Sequence, residues 1–192
     1  MKQNIRTAIW MTLVTTVIFG LLYPLAVTGL GQLFFPHQAN GGLIVKNGQA
    51  VGSRLIGQPF TAERYFHPRP SGAGSGYDPI SPSGGATNLG PTNRQLTDRV
   101  KGDMEKLHAE NPGPSVPVDL VTTSGSGLDP DISPAAAEFQ IPRVARARSM
   151  SPEDLRLLVA KHTQGRQFGF LGEPRVNVLE LNLELDDSHP TH

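Results

Sequence analysis

The chain has 192 residues, with 17 basic and 17 acidic side chains, 21 glycines, 17 prolines and no cysteine. The balanced charge supplies no basic field for nucleic acid, and the missing cysteines exclude disulfide staples and thiolate metal sites. The length suits one anchor plus one soluble domain, and the Gly and Pro content predicts a folded but loop-rich body.

From Thr7 to Phe35 there is no charged side chain. A helix needs about 20 apolar residues to cross a hydrocarbon core of about 30 Å, so this run is long enough to span one. It exceeds the apolar region of a cleavable signal, about 7–15 residues, and Ala26 and Thr28 imitate a cleavage site only weakly. A retained anchor over 7–35 is therefore expected. Lys2 and Arg6 precede the run, and the next charge after it is Lys46. The positive-inside rule then places residues 1–6 in the cytoplasm and 36–192 outside. Thr12, Thr16 and Gly20 recur every fourth residue, and Pro24 continues the stripe. Small side chains let another helix approach closely, so these four are expected to form a partner-helix packing face. The alternative is a lone anchor whose threonines bond their own backbone one turn back.

In the soluble part, GLIVKNGQAVGSRLIG (42–57) places two apolar runs around Asn47-Gly48, the dipeptide of tight hairpins. The stretch from Ser71 to Asn93 is dominated by Gly, Ser, Pro, Asn and Thr, which marks a functional or a mobile loop. Leu96, Val100, Met104 and Leu107 then share one helical stripe, with Thr92 or Asn93 as cap and Asn111-Pro112-Gly113 as stop. VPVDLVTTS (116–124) reads as a strand. Ser133 caps a helix that starts at Pro134, and Pro142 is expected to interrupt it. Ser151-Pro152-Glu153-Asp154 repeats the capping pattern, with Leu155, Leu158, Val159 and His162 on one face. RVNVLELNLEL (175–185) alternates like a strand, but its parity flips between Val178 and Leu179, which predicts a bulge or a change of environment. The fold class is α+β: one N-terminal transmembrane helix, then a single loop-rich extracytoplasmic α+β domain over 36–192.

Motifs of chemistry are sparse. There is no H-E-x-x-H, no P-loop lysine and no G-x-S-x-G, and the glycines of GAGSG (72–76) and SGSG (124–127) read as turns. Apart from His189 and His192 in the tail, no histidines pair at a metal-ligand spacing, so no metal site is assigned. His162 reads as a satisfied, half-buried group. Asp129 and Asp131 have the chemistry of an acid–base pair, but with no nucleophile beside them they read as turn residues bonding nearby amides. Arg143, Arg146 and Arg148 read either as a solvated helix edge or as a contact for an anion or acidic partner. No catalytic residue is assigned.

Taken together, LIGQPF (55–60), YFHPRPS (65–71), SGGATNLGPTN (83–93), PVDLVTTSGSGLDPDISPAAAEFQIPRVARAR (117–148) and PRVNVLELN (174–182) closely resemble the C subunit of bacterial Kdp potassium-transporting P-type ATPases. The resemblance covers essentially the whole chain. It departs where GAGSGYDP stands, a stretch the family usually shortens, and at Asp131, often another polar residue there. It implies a complex in the bacterial inner membrane with a potassium-selecting channel-like subunit, an ATP-hydrolysing P-type subunit and a small membrane subunit. ATP and potassium act in that complex. The D-K-T-G-T phosphorylation motif is absent here, so hydrolysis belongs to the partner. The resemblance also implies a catalytic chaperone that raises the partner's ATP affinity, with Gln140, Ser83, Gly84 and Gly85 as nucleotide-binding candidates. The expected topology sets the body across the bilayer from cytoplasmic nucleotide, so any influence must travel through conformational bias. Two rival readings are an anchored extracytoplasmic enzyme using Asp129 and Asp131, and a direct nucleotide-binding module.

Overall fold

The computed structural model describes all residues except 79, 81–85 and 190–192. The architecture is α+β, and the chain divides into two compact units, Met1–Val51 and Gly52–His192.

The first unit is dominated by one continuous helical run, Lys2–Phe34, with mean hydropathy 1.9 in its most apolar window, long and apolar enough to cross a membrane. It consists of α1 (Lys2–Thr15), a π-helical segment (Thr16–Leu22) and α2 (Tyr23–Phe34). Pro24 explains the widened segment before it. Its ring crowds the carbonyl one turn back and it donates no hydrogen bond, and a wider turn relieves both problems. The helix breaks at Phe35, and a short turn, α3 (Pro36–Ala39), follows. The amides of Gln32 and Asn40 exchange hydrogen bonds of 3.3 and 3.2 Å across that break. A polar side chain late in an apolar run is thereby satisfied.

β1 (Leu43–Lys46) and β2 (Gln49–Ser53) form the expected hairpin. Asn47 and Gly48 both hold positive φ, 52° and 78°. That pair of angles matches the right-handed twist of the strands and is cheap only for Asn and Gly.

The second unit contains α4 (Arg94–Glu110), β3 (Asp131–Ile132), α5 (Pro134–Arg148), α6 (Pro152–His162), β4 (Thr163–Gln164), β5 (Arg175–Asn177) and α7 (Val178–Ser188). The caps act as read: Asn93, Ser133 and Ser151 each accept a backbone N–H of the first turn. The strands lie antiparallel in the order β3-β5-β4, with Ile132 and Thr163 flanking Val176. Phe66, Ile141, Val144, Leu155, Val176, Leu181 and Leu185 are wholly buried where the helices meet this small sheet.

Three expectations are corrected. Residues 116–124 contain a 3-10 turn, Val118–Leu120, instead of a strand. Leu120 and Val121 are both buried, and a strand would turn consecutive side chains to opposite faces. The Asp119 carboxylate pins the turn by accepting from Ser133 N at 2.7 Å and Ser133 Oγ at 3.1 Å. Second, α5 runs through Pro142. Pro142 and Glu138 both lie on the exposed face, so the carbonyl that the proline leaves free is on the solvent side of the helix, where losing its partner costs least. Third, 175–185 is a strand only to Asn177. The parity flip marks a helix start, with Asn177 accepting from Glu180 N at 3.1 Å, and Val178, Leu181 and Leu185 then fall on one helical face.

Candidate functional site

The small-residue stripe sits at the centre of the apolar helix. In an α-helix a four-residue step over-rotates by about 40°, so such a stripe drifts around the surface. Thr16 opens the π segment and Gly20 lies within it. There the i→i+5 closure widens the turn, a four-residue step under-rotates, and the drift reverses. Thr12, Thr16 and Gly20 are thereby kept near one line. A Cβ added at Gly20 would meet only the Thr16 methyl, at 3.7 Å, so the groove there is open. The Thr12 hydroxyl donates to Ala8 O at 2.9 Å and the Thr15 hydroxyl to Met11 O at 2.7 Å. Pro24 follows at the start of α2.

In the second unit, α5 and α7 clamp the segment 63–67 by its backbone. Asn182 both accepts from Phe66 N and donates to Phe66 O, each at 2.9 Å. Gln140 does the same for His67, accepting at 2.7 Å and donating at 3.1 Å. The two amides imitate a strand neighbour and seat Phe66 in the core. Arg143 donates to Glu63 O and Tyr65 O at 2.6 and 3.0 Å, and to Gln140 Oε1 at 2.6 Å. Arg148 donates to Arg64 O at 2.7 Å and Asp186 at 2.6 Å, and lies over the Tyr65 ring at 5.0 Å. Arg143 and Arg148 are thus buried braces, while Arg146 stays on the exposed face. A basic run in the sequence gave no signal of this, because the carbonyls concerned lie far along the chain. The carboxamide of Gln140 is occupied within this clamp. Ser83, Gly84 and Gly85 lie outside the described residues, as does His192.

Beside the clamp, His67, Glu110, Arg143, Asp103 and Lys106 line a cleft of about 210 Å³. Burial, and then the Arg143 charge, hold the His67 imidazole below its ordinary pKa of 6.5.

Asp129 and Asp131 face a second cleft of about 460 Å³ with Arg69, Asp119, Glu173 and Arg175. Asp129 accepts from Asp131 N at 3.1 Å, the turn role expected of it, and pairs with Arg69 at 2.9 Å. Asp131 pairs with Arg175 at 3.0 Å and accepts from Asn177 Nδ2 at 3.1 Å. Burial pushes the Asp131 carboxyl above the usual aspartate range. Each carboxylate therefore has its own guanidinium, which suits a braced loop. The same loop is held by Ser71, whose hydroxyl donates to Gly127 O at 2.6 Å and accepts from Tyr77 N at 2.8 Å. His162 is half-buried and lies 2.6 Å from Glu184. Among the described residues no group of three or more His, Asp or Glu is arranged to hold a metal.

The family model described as K+-transporting ATPase, c chain (KdpC) matches residues 5–187. The potassium-transporting ATPase KdpC subunit of Koribacter versatilis is 63% identical over 190 residues, covering 99% of this chain and 97% of that protein. The corresponding subunit of Rhodopseudomonas palustris is 57% identical, with 97% and 98% covered. That of Acidobacterium capsulatum is 55% identical, with 97% and 100% covered.

Proposed function

This chain belongs to the KdpC family, the c chain of K+-transporting ATPases, and we propose that it serves there as a non-catalytic, single-pass accessory subunit. The observation that carries this reading is the end-to-end likeness to KdpC subunits in a chain with one long apolar helix. The helix docks against a membrane partner through Thr12, Thr16, Gly20 and Pro24. The body lies outside the cytoplasm, following the positive charges at Lys2 and Arg6. The partners are a potassium-selecting subunit, an ATP-hydrolysing P-type subunit and a small membrane subunit. From outside, the body raises the ATP affinity of the hydrolysing subunit by favouring one of its conformations. The pairing of Asp129 with Arg69 and of Asp131 with Arg175, and the D-K-T-G-T motif missing from the sequence, support a non-catalytic role.

Two measurements test this. Gly20→Leu fills the open groove, and the other subunits are expected to co-purify in reduced amount; normal recovery refutes the docking face. The chain has no cysteine, so Ser126→Cys provides a single thiol at an exposed position. A membrane-impermeant maleimide added to intact cells is expected to label it. Protection from that reagent until the cells are opened reverses the topology and restores direct nucleotide contact as the better account.

A further inference from the structure

β4 and β5 are joined by GRQFGFLGEP, residues 165–174. This connection is held in one shape. Gln167 and Leu171 pair across it with two backbone hydrogen bonds of 2.9 Å. At its base Arg166 grips both oxygens of Glu173, at 2.8 and 2.7 Å. Phe168 takes a φ of 52°, and Gly169 follows at 82°. An aromatic residue rarely accepts the left-handed region, and such strain clusters at functional sites. The result is that Phe168 is 88% exposed, Phe170 70% and Leu171 47%. Aromatic residues, Phe among them, are enriched at protein interfaces relative to the rest of the surface.

We propose that this turn is a plug that docks into an apolar socket on another subunit of the K+-transporting ATPase; the proposal rests on the assembly role above. Charge selects that occupant over lipid. Arg166 and Glu173 are the charged residues of the connection, and they neutralise each other. Arg175 at its root is taken by Asp131, and Lys161 by Glu184. Among the described residues these three cations each have a carboxylate partner and none of them is left over to meet lipid phosphates, and the tip lacks the Trp and Tyr favoured at the headgroup layer. Size argues against a second copy of this chain. A ring buries roughly 150–250 Å², so the tip falls short of the roughly 800 Å² per partner of a self-standing interface. It suits a chain already held at its partner by a membrane helix.

The test places the photo-crosslinker p-benzoylphenylalanine at position 168 of the full chain, co-expressed with the other ATPase subunits and purified as the complex. Illumination is expected to yield an adduct with the mass of this chain plus one other ATPase subunit. An adduct with lipid, an adduct between two copies, or no adduct from an intact complex overturns the proposal. In parallel, Phe168→Ser with Phe170→Ser alters only exposed side chains, so folding is expected to be kept. Its retention in the complex through a detergent wash is expected to fall about thirtyfold, the scale of losing one hot spot; undiminished retention overturns the plug. An unaltered chain that never co-purifies sinks the assembly reading instead, so the two failures are distinct.

Discussion

Arg148 shows how much a single side chain ties together in this molecule. Its guanidinium is wholly buried, reaches Arg64 O and Asp186, and covers the Tyr65 ring, while the Tyr65 hydroxyl donates to the other oxygen of Asp186 at 2.8 Å. Arg148→Met fills the volume but takes the guanidinium donor from Arg64 O and from one oxygen of Asp186, whose other oxygen keeps the Tyr65 hydroxyl. Because Asp186 is about one-third exposed and water recovers part of the loss, the expected cost is about 2–3 kcal/mol, below the range for a fully buried pair. Urea unfolding of the detergent-solubilised chain measures it. His67 sets a pH dependence. The groups facing its ring are Arg143, the Ala62 carbonyl, Glu110 and Glu63, and the net effect of burial and Arg143 is a lowered pKa. The unfolded chain therefore binds a proton more readily than the folded one. This contribution to stability is complete above 6.5 and is lost as pH falls through 6.5 towards the folded value. His67→Gln is expected to flatten that acid-side slope, and an unchanged slope would assign it to other groups. Asp131 has the opposite sign: its raised pKa means that protonation on acidification favours the folded state.

At the level of elements, α5 carries an avoidable penalty. Interior proline costs about 3 kcal/mol relative to alanine in a helix, offset in part by a stiffer unfolded chain. Pro142 is exposed and mid-helix, with its carbonyl accepting from Arg146 Nε at 3.2 Å. Pro142→Ala is expected to raise stability by about 1–2 kcal/mol, visible as a shift of the urea midpoint without a change of slope. Loop packing is tighter. A Cβ on Gly57 would lie 2.6 Å from both Asp129 O and the Tyr77 ring, whereas one on Gly52 meets first the movable amide of Gln58. Gly57→Ala is therefore expected to cost about 2–3 kcal/mol and more than Gly52→Ala, since backbone cannot step aside as a side-chain end does. Thermal melts of the two variants side by side decide the order. The Asn47-Gly48 hairpin and the caps at Asn93, Ser133 and Ser151 were legible because each cause lies within a few residues. The segment 175–185 was misread because Leu179, Leu181, Leu183 and Leu185 alternate in the sequence as well as fitting a helix.

For the whole molecule, the hydrophobic core runs from Phe66 to Leu185 and lies entirely in the unit beginning at Gly52. Because every residue of that core belongs to the second unit, a fragment of residues 52–192 is expected to unfold in one cooperative urea transition. A gradual, non-cooperative loss of signal would show that the first unit is needed for folding. By itself the sequence determined what has local causes: an uncharged run long enough for a bilayer, a left-handed Asn-Gly turn, helix starts, and the motifs by which the family is recognised. Only the tertiary structure decided that 116–124 turns, that α5 passes through Pro142, and that Gln140, Asn182, Arg143 and Arg148 are interior braces. The physical reason is separation along the chain. Phe66 is held by Asn182 and His67 by Gln140, and whether a polar side chain is solvated or buried depends on carbonyls that no short window of sequence contains.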